Sequence, residues 1–511
     1  MKNPLSLTLT LLLSAAILFL PTALAQNEAP PQKRSGLTRP GDEDLGRVFR
    51  SYERLSLDTA DAAERVRQTG RLVLNTGSRT FDLELEPHDM RADHYRAEQT
   101  VAPGVTLPVA RGPVRTYKGK VRGSAGAQAR FTIDEESFEG VILTKGERYY
   151  VEPASRYTPG ATRADFLLYK GSDVIESEPL SCAAPSLHDK LNEAAGKVSE
   201  EPSVSAAVTG GGPEPQVLAS PLEAELATEA DFEYSTALGG AAGANNEIQS
   251  IMNQVEGVYQ TEIGLSFKIA YQHVWTTSAD PYTSADPVTA IKEFTNEWNN
   301  DPHGVGFKTV VRDVAHMWTG KNLTNTAGVA WTGVVCKSPA SAYALSERIS
   351  ISPQKIILPA HEIGHTFNAT HTDGTAGCTN TIMQAIARDT SVVSFCPASR
   401  GQIETHIRTY PSCLSAAPAC TFTLSPTSAV FTSAGGSASF SVTASDAGCN
   451  WAAASNAPWI HITAGASGTG SGSVSYTVDA NTGATSRSGT ITAAGKTFNV
   501  SQGAPAACTF T

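Results

Sequence analysis

Apolar and polar residues alternate through much of the first third of the chain, with the period of two that is typical of half-buried strands. The alternation starts near Val66 and continues to about residue 171. The clearest segments are residues 71–74, 81–85, 116–123, 138–153 and 165–171. This pattern predicts a β-rich N-terminal unit, which we bound at residues 26–190.

The pattern changes in residues 217–416, where helical and strand spacings alternate. Apolar residues recur with the helical period from Ile248 to Ile263, and Gly264 stands where glycine commonly ends a helix. The other expected elements are strands near residues 232–234, 265–275 and 308–318, and a helix over 288–298. The order predicts an α/β domain with a mixed, twisted sheet and helices packed on it.

A third pattern follows Cys413, where charged residues become rare and Ser, Thr, Ala and Gly dominate. Short alternating segments separated by turns predict an all-β sandwich of the immunoglobulin-like kind over residues 418–504. The sequence of residues 419–423 recurs as residues 507–511. We therefore expect residues 505–511 to begin a second repeat that is cut short.

The N-terminus predicts export. Lys2, the apolar run of residues 5–20 and the small residues around Ala25 are typical of a signal peptide over residues 1–25. A membrane anchor is the less favoured alternative, because the run is short and contains Ser and Thr. No later stretch is apolar enough to span a bilayer. We expect a secreted protein in a compartment that permits disulfides, and the sequence leaves periplasmic or cell-surface retention open.

Two further features of composition bear on function. The net charge of −11 gives no reason to expect nucleic-acid binding. Residues 191–216 are rich in Glu, Ser, Ala, Gly and Pro, which predicts a linker and a natural place for proteolytic maturation.

The segment HEIGHTFNATH, residues 361–371, carries the strongest chemical signal. His361 and His365 lie on one helix face and can bind the same Zn²⁺, with Glu362 beside them as general base. Asn368 tolerates the turn that would bring His371 back as a third ligand, which leaves the fourth position open for water. The alternative is three core histidines hydrogen-bonded to backbone, which we consider the weaker reading.

The chain contains eight cysteines, whose connectivity cannot be derived from spacing alone. Four bracket the histidine motif, two lie in the C-terminal unit, and Cys182 and Cys508 lie outside these groups. A thiolate from Cys182 would occupy the water position of a zinc site and keep it latent. A structural cysteine, or a disulfide that the sequence does not reveal, is the alternative.

The histidine motif and the segment Thr381-Ile382-Met383-Gln384 resemble the metzincin signature HExxHxxGxxH and its Met-turn. Asn368 replaces the family's glycine, and Thr372 stands where many reprolysins have Asp, with Asp373 one place later. Residues 116–123, 138–153 and 165–171 resemble the reprolysin-type propeptide, and a free-standing β-sandwich of unknown role is the alternative for this unit. Residues 395–407 resemble the closing helix of reprolysins. This resemblance implies that Met383 packs beneath the ligands, and that Cys336 pairs with Cys413 and Cys378 with Cys396.

The segments CTFTLSP, GCNW, APWIHI, RSGTIT and FNVSQ resemble a BACON domain. Members of that family are proposed to bind carbohydrate or mucin, so the resemblance implies glycans or mucin-like glycoproteins as partners. It also implies that Cys420 pairs with Cys449. Trp451 and Trp459 could stack on sugars, but packing in the core of the sandwich is the favoured role.

These resemblances imply a secreted zinc endopeptidase of the reprolysin-like metzincins, made as a latent zymogen that acts on proteins or peptides. One alternative is a carbohydrate-binding adhesin whose zinc site is not proteolytic, and another is a β-rich structural surface protein. Glu362 argues against the adhesin, because a structural zinc has no need of a general base. The open set of three histidine ligands disfavours the structural protein, and neither alternative explains both Glu362 and the Met-turn.

Overall fold

The structure is a computed structural model that describes residues 42–124, 126–144, 146–175, 180–182, 221–387, 393–416, 420–445 and 449–505. The expected signal peptide, the linker of residues 191–216 and Cys508 lie outside the described residues. In the described part of the chain, no helix combines the length and apolar character needed to cross a membrane.

The N-terminal unit is dominated by strands, as its alternating pattern predicts. Its elements are α1 Asp42–Val48, β1 Glu53–Ser56, α2 Thr59–Thr69, β2 Arg71–Asn75, β3 Thr80–Pro87, β4 Arg91–Ala102, β5 Val105–Val109, β6 Thr116–Val121, β7 Gln128–Ile133, β8 Phe138–Leu143, β9 Arg148–Pro153, β10 Asp165–Lys170 and β11 Leu180–Ser181. Eight of the strands form one antiparallel sheet in the order β1-β10-β9-β8-β7-β6-β3-β2. Alternate residues of β3 (Phe81, Leu83 and Leu85) face the core beneath this sheet.

The central unit is an α/β domain. Its elements are β12 Leu222–Ala230, α3 Phe232–Ala237, α4 Ala241–Glu262, β13 Leu265–Trp275, α5 Pro287–Asn300, β14 Val314–Thr319, β15 Gly328–Ala330, β16 Tyr343–Glu347, α6 Gln354–Thr366, β17 Ile386–Ala387, α7 Pro397–Thr409 and β18 Ser415–Ala416. The sheet order is β15-β16-β14-β12-β13-β4-β5, and β18 pairs with the start of β12. Strands β16, β14, β12, β13 and β4 are parallel, whereas β15 and β5 are antiparallel to their neighbours. The expected mixed sheet is confirmed.

One hairpin crosses the boundary that we drew between the first two units. Strands β4 and β5 belong to residues 26–190 in sequence, yet they extend the sheet of the central unit, with β4 parallel to β13. The alternation of burial along β4 is irregular, because several of its polar residues are partly buried between two neighbouring strands. The sequence pattern therefore carries no sign of the sheet to which this hairpin belongs.

Several element boundaries differ from the sequence expectations. Residues 232–234 are helical rather than extended, because Asp231 caps α3 by accepting a hydrogen bond from Tyr234 N at 2.8 Å. Strand β14 begins at Val314 rather than near residue 308. Helix α6 begins at Gln354, so Pro359 lies in its second turn rather than in the first, where proline is best tolerated. Every residue of α6 is buried, so its packing offsets the single backbone hydrogen bond that Pro359 cannot donate.

The C-terminal unit is all-β, as expected. Its strands are β19 Phe422–Ser425, β20 Ser428–Phe431, β21 Gly436–Ala444, β22 Asn450–Ser455, β23 Ile460–Ala464, β24 Ser467–Thr469, β25 Gly472–Val478, β26 Arg487–Ala493 and β27 Lys496–Gln502. They form two sheets, β19-β21-β25-β23 and β20-β27-β26-β22-β24. Trp451 packs in the core of this unit, where a Cβ at Gly468 or Gly472 would overlap its ring. The guanidinium of Arg487 lies 4.3 Å from the ring centre of Trp459.

Candidate metal centre and cleft

Helix α6 positions two imidazoles side by side. His361 and His365 are both buried, and the Nδ1 atom of each donates a hydrogen bond to a backbone carbonyl. His361 Nδ1 lies 2.6 Å from Ile382 O, and His365 Nδ1 lies 2.7 Å from Ala369 O. These bonds fix the ring orientation and the tautomer, so that the two Nε2 atoms face each other 3.0 Å apart.

The third histidine reaches the same place because the chain turns sharply after α6. Asn368 adopts the left-handed conformation, with φ of 71°, and Ala369 N donates to Gly364 O at 3.0 Å. This turn brings His371 Nε2 to 3.2 Å from His361 Nε2. The structure thus brings together all three histidines that the motif singled out.

The donor set fits a zinc ion. Tetrahedral zinc with Zn–N bonds of about 2.0–2.1 Å places its nitrogen ligands roughly 3.3 Å apart. The Nε2 separations of 3.0 and 3.2 Å are close to that spacing. Cys182 Sγ belongs to the same cluster, in which all four ligand atoms lie within 4.8 Å of one another. Three imidazoles and a thiol are ligands that zinc prefers.

Met383 packs directly against the backbone between the two helical histidines. A Cβ at Gly364 would come within 2.8 Å of Met383 Sδ, so only glycine leaves room for this contact. Thr372 N donates to Met383 O at 2.9 Å and joins the Met-turn to the segment that carries His371. Asp373 accepts a hydrogen bond from Ala385 N at 3.0 Å, which further holds the segment after the Met-turn.

Replacing Gly364 with alanine should therefore strain the site. We expect the Cβ to displace Met383 and to lower the free energy of unfolding by about 1–3 kcal/mol, together with a weaker affinity for metal. Gly401→Ala is the matched control, because Gly401 lies in α7 with no atom near its Cβ position. That variant should be slightly more stable than the wild type. Equal melting temperatures for the two variants would contradict the contact between Gly364 and Met383.

Glu362 follows His361 on α6, and its carboxylate is fully buried. Burial raises the pKa of Glu362 to about 8, and a hydrogen bond from the Cys182 thiol opposes this rise. The Sγ atom of Cys182 lies 3.3 Å from Glu362 Oε1 and 3.7 Å from His365 Nε2. Gly328 provides the space for Glu362, because a Cβ there would overlap the carboxylate.

Residues 180–182, which we call the cleft arm, lie between the two edges of this site. Leu180 and Ser181 pair in antiparallel fashion with Ala387 and Ile386 of β17. Cys182 N donates to Ala385 O at 2.7 Å, and Cys182 forms a parallel bridge with Gly328 at the start of β15. The arm thus fills the groove in front of the three histidines, with its thiol pointing into the ligand cluster.

Three disulfides occur among the described residues, and they join the pairs that the resemblances implied. They are Cys336–Cys413, Cys378–Cys396 and Cys420–Cys449. The first holds the segment that covers the end of α6, where Gly333 N donates to His365 O and Val334 N to Thr366 O, both at 2.9 Å. The second encloses the Met-turn.

A family model described as metallo-peptidase family M12 matches residues 223–409, which contain the whole histidine cluster. Residues 223–409 are a reprolysin-type metallopeptidase domain. The family resemblance inferred from the sequence is therefore confirmed, and membership implies a bound metal in this domain. A second model, described as the viral BACON domain, matches residues 421–509, so the C-terminal resemblance is confirmed as well.

Curated relatives of the chain include disintegrin and metalloproteinase domain-containing proteins. The bovine protein 10 of that name is 22% identical over 392 residues, which cover 65% of this chain and 50% of that protein. The human protein is 23% identical over 309 residues, 51% of this chain and 39% of that protein. This chain thus spans half or less of the length of these relatives.

A solved structure of a chaperone–substrate complex was also matched, with a TM-score of 0.30 and 11% sequence identity. The match covers 38% of this chain and 36% of that one. That score is too low to indicate a common fold.

Sequence reasoning missed the groups that orient the ligands of the reprolysin domain. The carbonyls of Ile382 and Ala369 carry no side-chain signal, so their hydrogen bonds to the histidines can be found only in the structure. Gly328 and Gly364 did have a signal, because each is a glycine beside apolar residues in a buried element. Such glycines commonly mark a close approach of another group.

Proposed function

We propose that the chain is a secreted, zinc-dependent endopeptidase that hydrolyses peptide bonds in proteins and is made as a latent zymogen. The observation that supports this most is the convergence of three Nε2 atoms beside a buried carboxylate, with Gly328 leaving room for that carboxylate. A structural zinc site has no use for Glu362, whereas a hydrolytic site needs a base there. The signal peptide of residues 1–25 belongs to the same proposal.

Each residue of the site has a distinct task in this reaction. The ion, when bound, supplies Lewis-acid activation of a water molecule and of the scissile carbonyl. His361, His365 and His371 hold the ion through Nε2, and the backbone carbonyls of Ile382 and Ala369 keep the first two rings in the required tautomer. Glu362 Oε1 takes the proton from the attacking water and returns it to the leaving amine.

The cleft arm accounts for latency in this proposal. Cys182 Sγ lies against Glu362 Oε1 and within reach of the ligand cluster, so it takes the place that the attacking water needs. The paired backbone of Leu180 and Ser181 closes the groove to an extended substrate. Withdrawal of the arm would uncover both the base and the fourth ligand position.

Binding of glycans or mucin-like glycoproteins by residues 418–504 stays a prediction. The ring of Trp451 is buried in the core, where its Nε1 donates to Gly470 O at 2.7 Å, so it cannot stack on a sugar. Arg487 covers one face of Trp459. In this proposal the C-terminal unit contributes targeting, and the chemistry belongs to the reprolysin domain alone.

Metal content and proteolysis, measured on the same sample, test the proposal. We expect the full chain to hold about one zinc ion per molecule and, once the linker is cut, to cleave casein. A chelator should abolish cleavage, and added zinc should restore it. A cut, folded and zinc-loaded protein that cleaves neither casein nor a mixture of peptides would refute the peptidase function and favour the adhesin alternative.

A further inference from the structure

We propose that residues 42–175 stay bound to the reprolysin domain after the linker is cut, so that the active protein consists of two non-covalently joined chains. Residues 42–175, called the N-terminal body from here on, would then be a subunit of the mature protein. Activation would need only the cleft arm to leave its groove. This inference goes beyond the proposed peptidase function and can be tested without any activity assay.

The first argument is the shared sheet. Strand β4 lies between β13 of the reprolysin domain and β5, and its register pairs Arg96 with Tyr271 and Thr100 with Trp275. Backbone hydrogen bonds continue beyond the paired residues, from Ile269 N to Met90 O at 2.7 Å and from Thr276 N to Thr100 O at 3.0 Å. Removal of the N-terminal body would break this ladder and expose the whole edge of β13.

The second argument is helix α4, which has no ordinary solvent face. A helix on the surface of a domain buries one stripe, but fifteen of the 22 residues of α4 are buried. Several of its polar residues are covered by the N-terminal body. Asn253 Nδ2 donates to Tyr117 O and Phe131 O, both at 3.2 Å, and Ser250 Oγ accepts from Thr132 Oγ1 at 2.8 Å.

The third argument is a common apolar core. One cluster of buried side chains contains residues of the N-terminal body together with residues of α4 and α6. The contributors from the body include Leu45, Phe49, Met90, Tyr150, Leu167 and Tyr169. Apolar burial supplies affinity in proportion to its area, so a core that runs across the boundary resists separation.

Buried charges fix the alignment of the two parts. Arg130 of the N-terminal body lies 2.6 Å from Glu256 of α4, with side-chain exposures of 2% and 1%. Lys355 of α6 lies 2.8 Å from Glu139, with exposures of 1% and 6%. Both members of each pair would regain water on separation, so the intact pairs mainly specify the docking geometry. Loss of one member alone would leave a buried, unpaired charge in the complex and would therefore weaken the association.

The cleft arm has far fewer contacts than the body. Within the part of the chain that the structure describes, it makes two strand pairs with β17, one backbone hydrogen bond to Ala385 and a bridge to Gly328, in addition to the contacts of the Cys182 thiol. The groove can therefore open while β4, α4 and the shared core remain as they are.

The test uses the full chain with a site for a specific protease inserted after Gly211. After complete cleavage, native size-exclusion chromatography should show both fragments in one peak, and denaturing electrophoresis should resolve them. In urea, Arg130→Gln should let the fragments separate at a lower concentration than the wild type. Arg65→Gln, which removes an ion pair exposed to solvent, should not.

Two results would overturn the proposal. One is a reprolysin fragment that elutes alone under native conditions while it keeps its circular dichroism spectrum and its metal. The other is separation of the Arg130→Gln and wild-type fragments at the same urea concentration. Fragments that elute together but do not cleave casein would leave the two-chain proposal standing and count against the peptidase function, so the two failures are distinguishable.

Discussion

Replacing Glu362 with glutamine should lower kcat/KM for a peptide substrate by about 10²–10⁴-fold, the range typical of a lost general base. Glutamine has nearly the same shape, so it should keep the space beside Gly328, but an amide cannot accept the proton of the attacking water. The zinc content should not change, because Glu362 contributes none of the three Nε2 donors. The measurement is peptide cleavage by the cut chain, with metal analysis of the same preparation.

Glu233→Gln is the control for this experiment. Glu233 lies in α3, remote from Glu362 in the sequence, and its exposed carboxylate pairs with Lys321. The loss of this exposed ion pair should leave cleavage unchanged. A Glu362→Gln variant that holds zinc and retains more than about a tenth of the wild-type rate would show that another group acts as the base, because a general base is worth more than that.

Replacing Cys182 with serine should raise the activity of the uncut chain toward a small fluorogenic peptide about tenfold or more. Serine is a much weaker zinc ligand than a thiolate, so the closed position of the cleft arm loses stabilisation relative to the open position. If the free-energy difference that favours the closed position falls by about 1.4 kcal/mol, the population of the open position rises tenfold. The backbone pairs of Leu180 and Ser181 remain, so the uncut variant should stay less active than the cut wild type.

The rate of peptide cleavage, measured before and after the linker is cut, distinguishes a loss of latency from a general change in activity. In the Cys182→Ser variant the ratio of cut to uncut activity should fall, whereas the activity after cleavage should match the wild type. A uniform change in both rates would mean that Cys182 affects the stability of the domain rather than latency. If the uncut variant and the uncut wild type have the same low rate, latency depends entirely on the backbone pairing of the arm.

The histidine site was largely predictable because the residues that determine its geometry are close together in the sequence. The spacing of His361 and His365 depends only on helix geometry, and Asn368 is a residue type that tolerates the positive φ of the following turn. Helix α4 was predictable for the same reason, since Gly264 adopts φ of 84° and its N–H bonds Tyr259 O, as a helix-ending glycine does. Short-range patterns of this kind can be recognised in a single sequence.

The parts that could not be predicted depend on distant partners. Pro359 ordinarily marks the first turn of a helix, and only the burial of all of α6 allows it in the second. The pairing of β4 with β13 joins residues at least 175 positions apart, and no local pattern distinguishes one sheet edge from another. Arg130 and Lys355 resemble ordinary surface charges in the sequence, although both are buried.

The hydrogen bond from His361 to Ile382 makes the geometry of the ligand set depend on the redox state of the surroundings. Ile382 lies within the 18-residue loop that Cys378–Cys396 closes, so the carbonyl that aims this ring is held in place by a reducible cross-link. In a reducing cytosol that loop would lose its closure and the imidazole its fixed direction. We therefore expect metal retention, and with it proteolytic competence, to be confined to oxidising compartments, which would protect the cell that makes the protein.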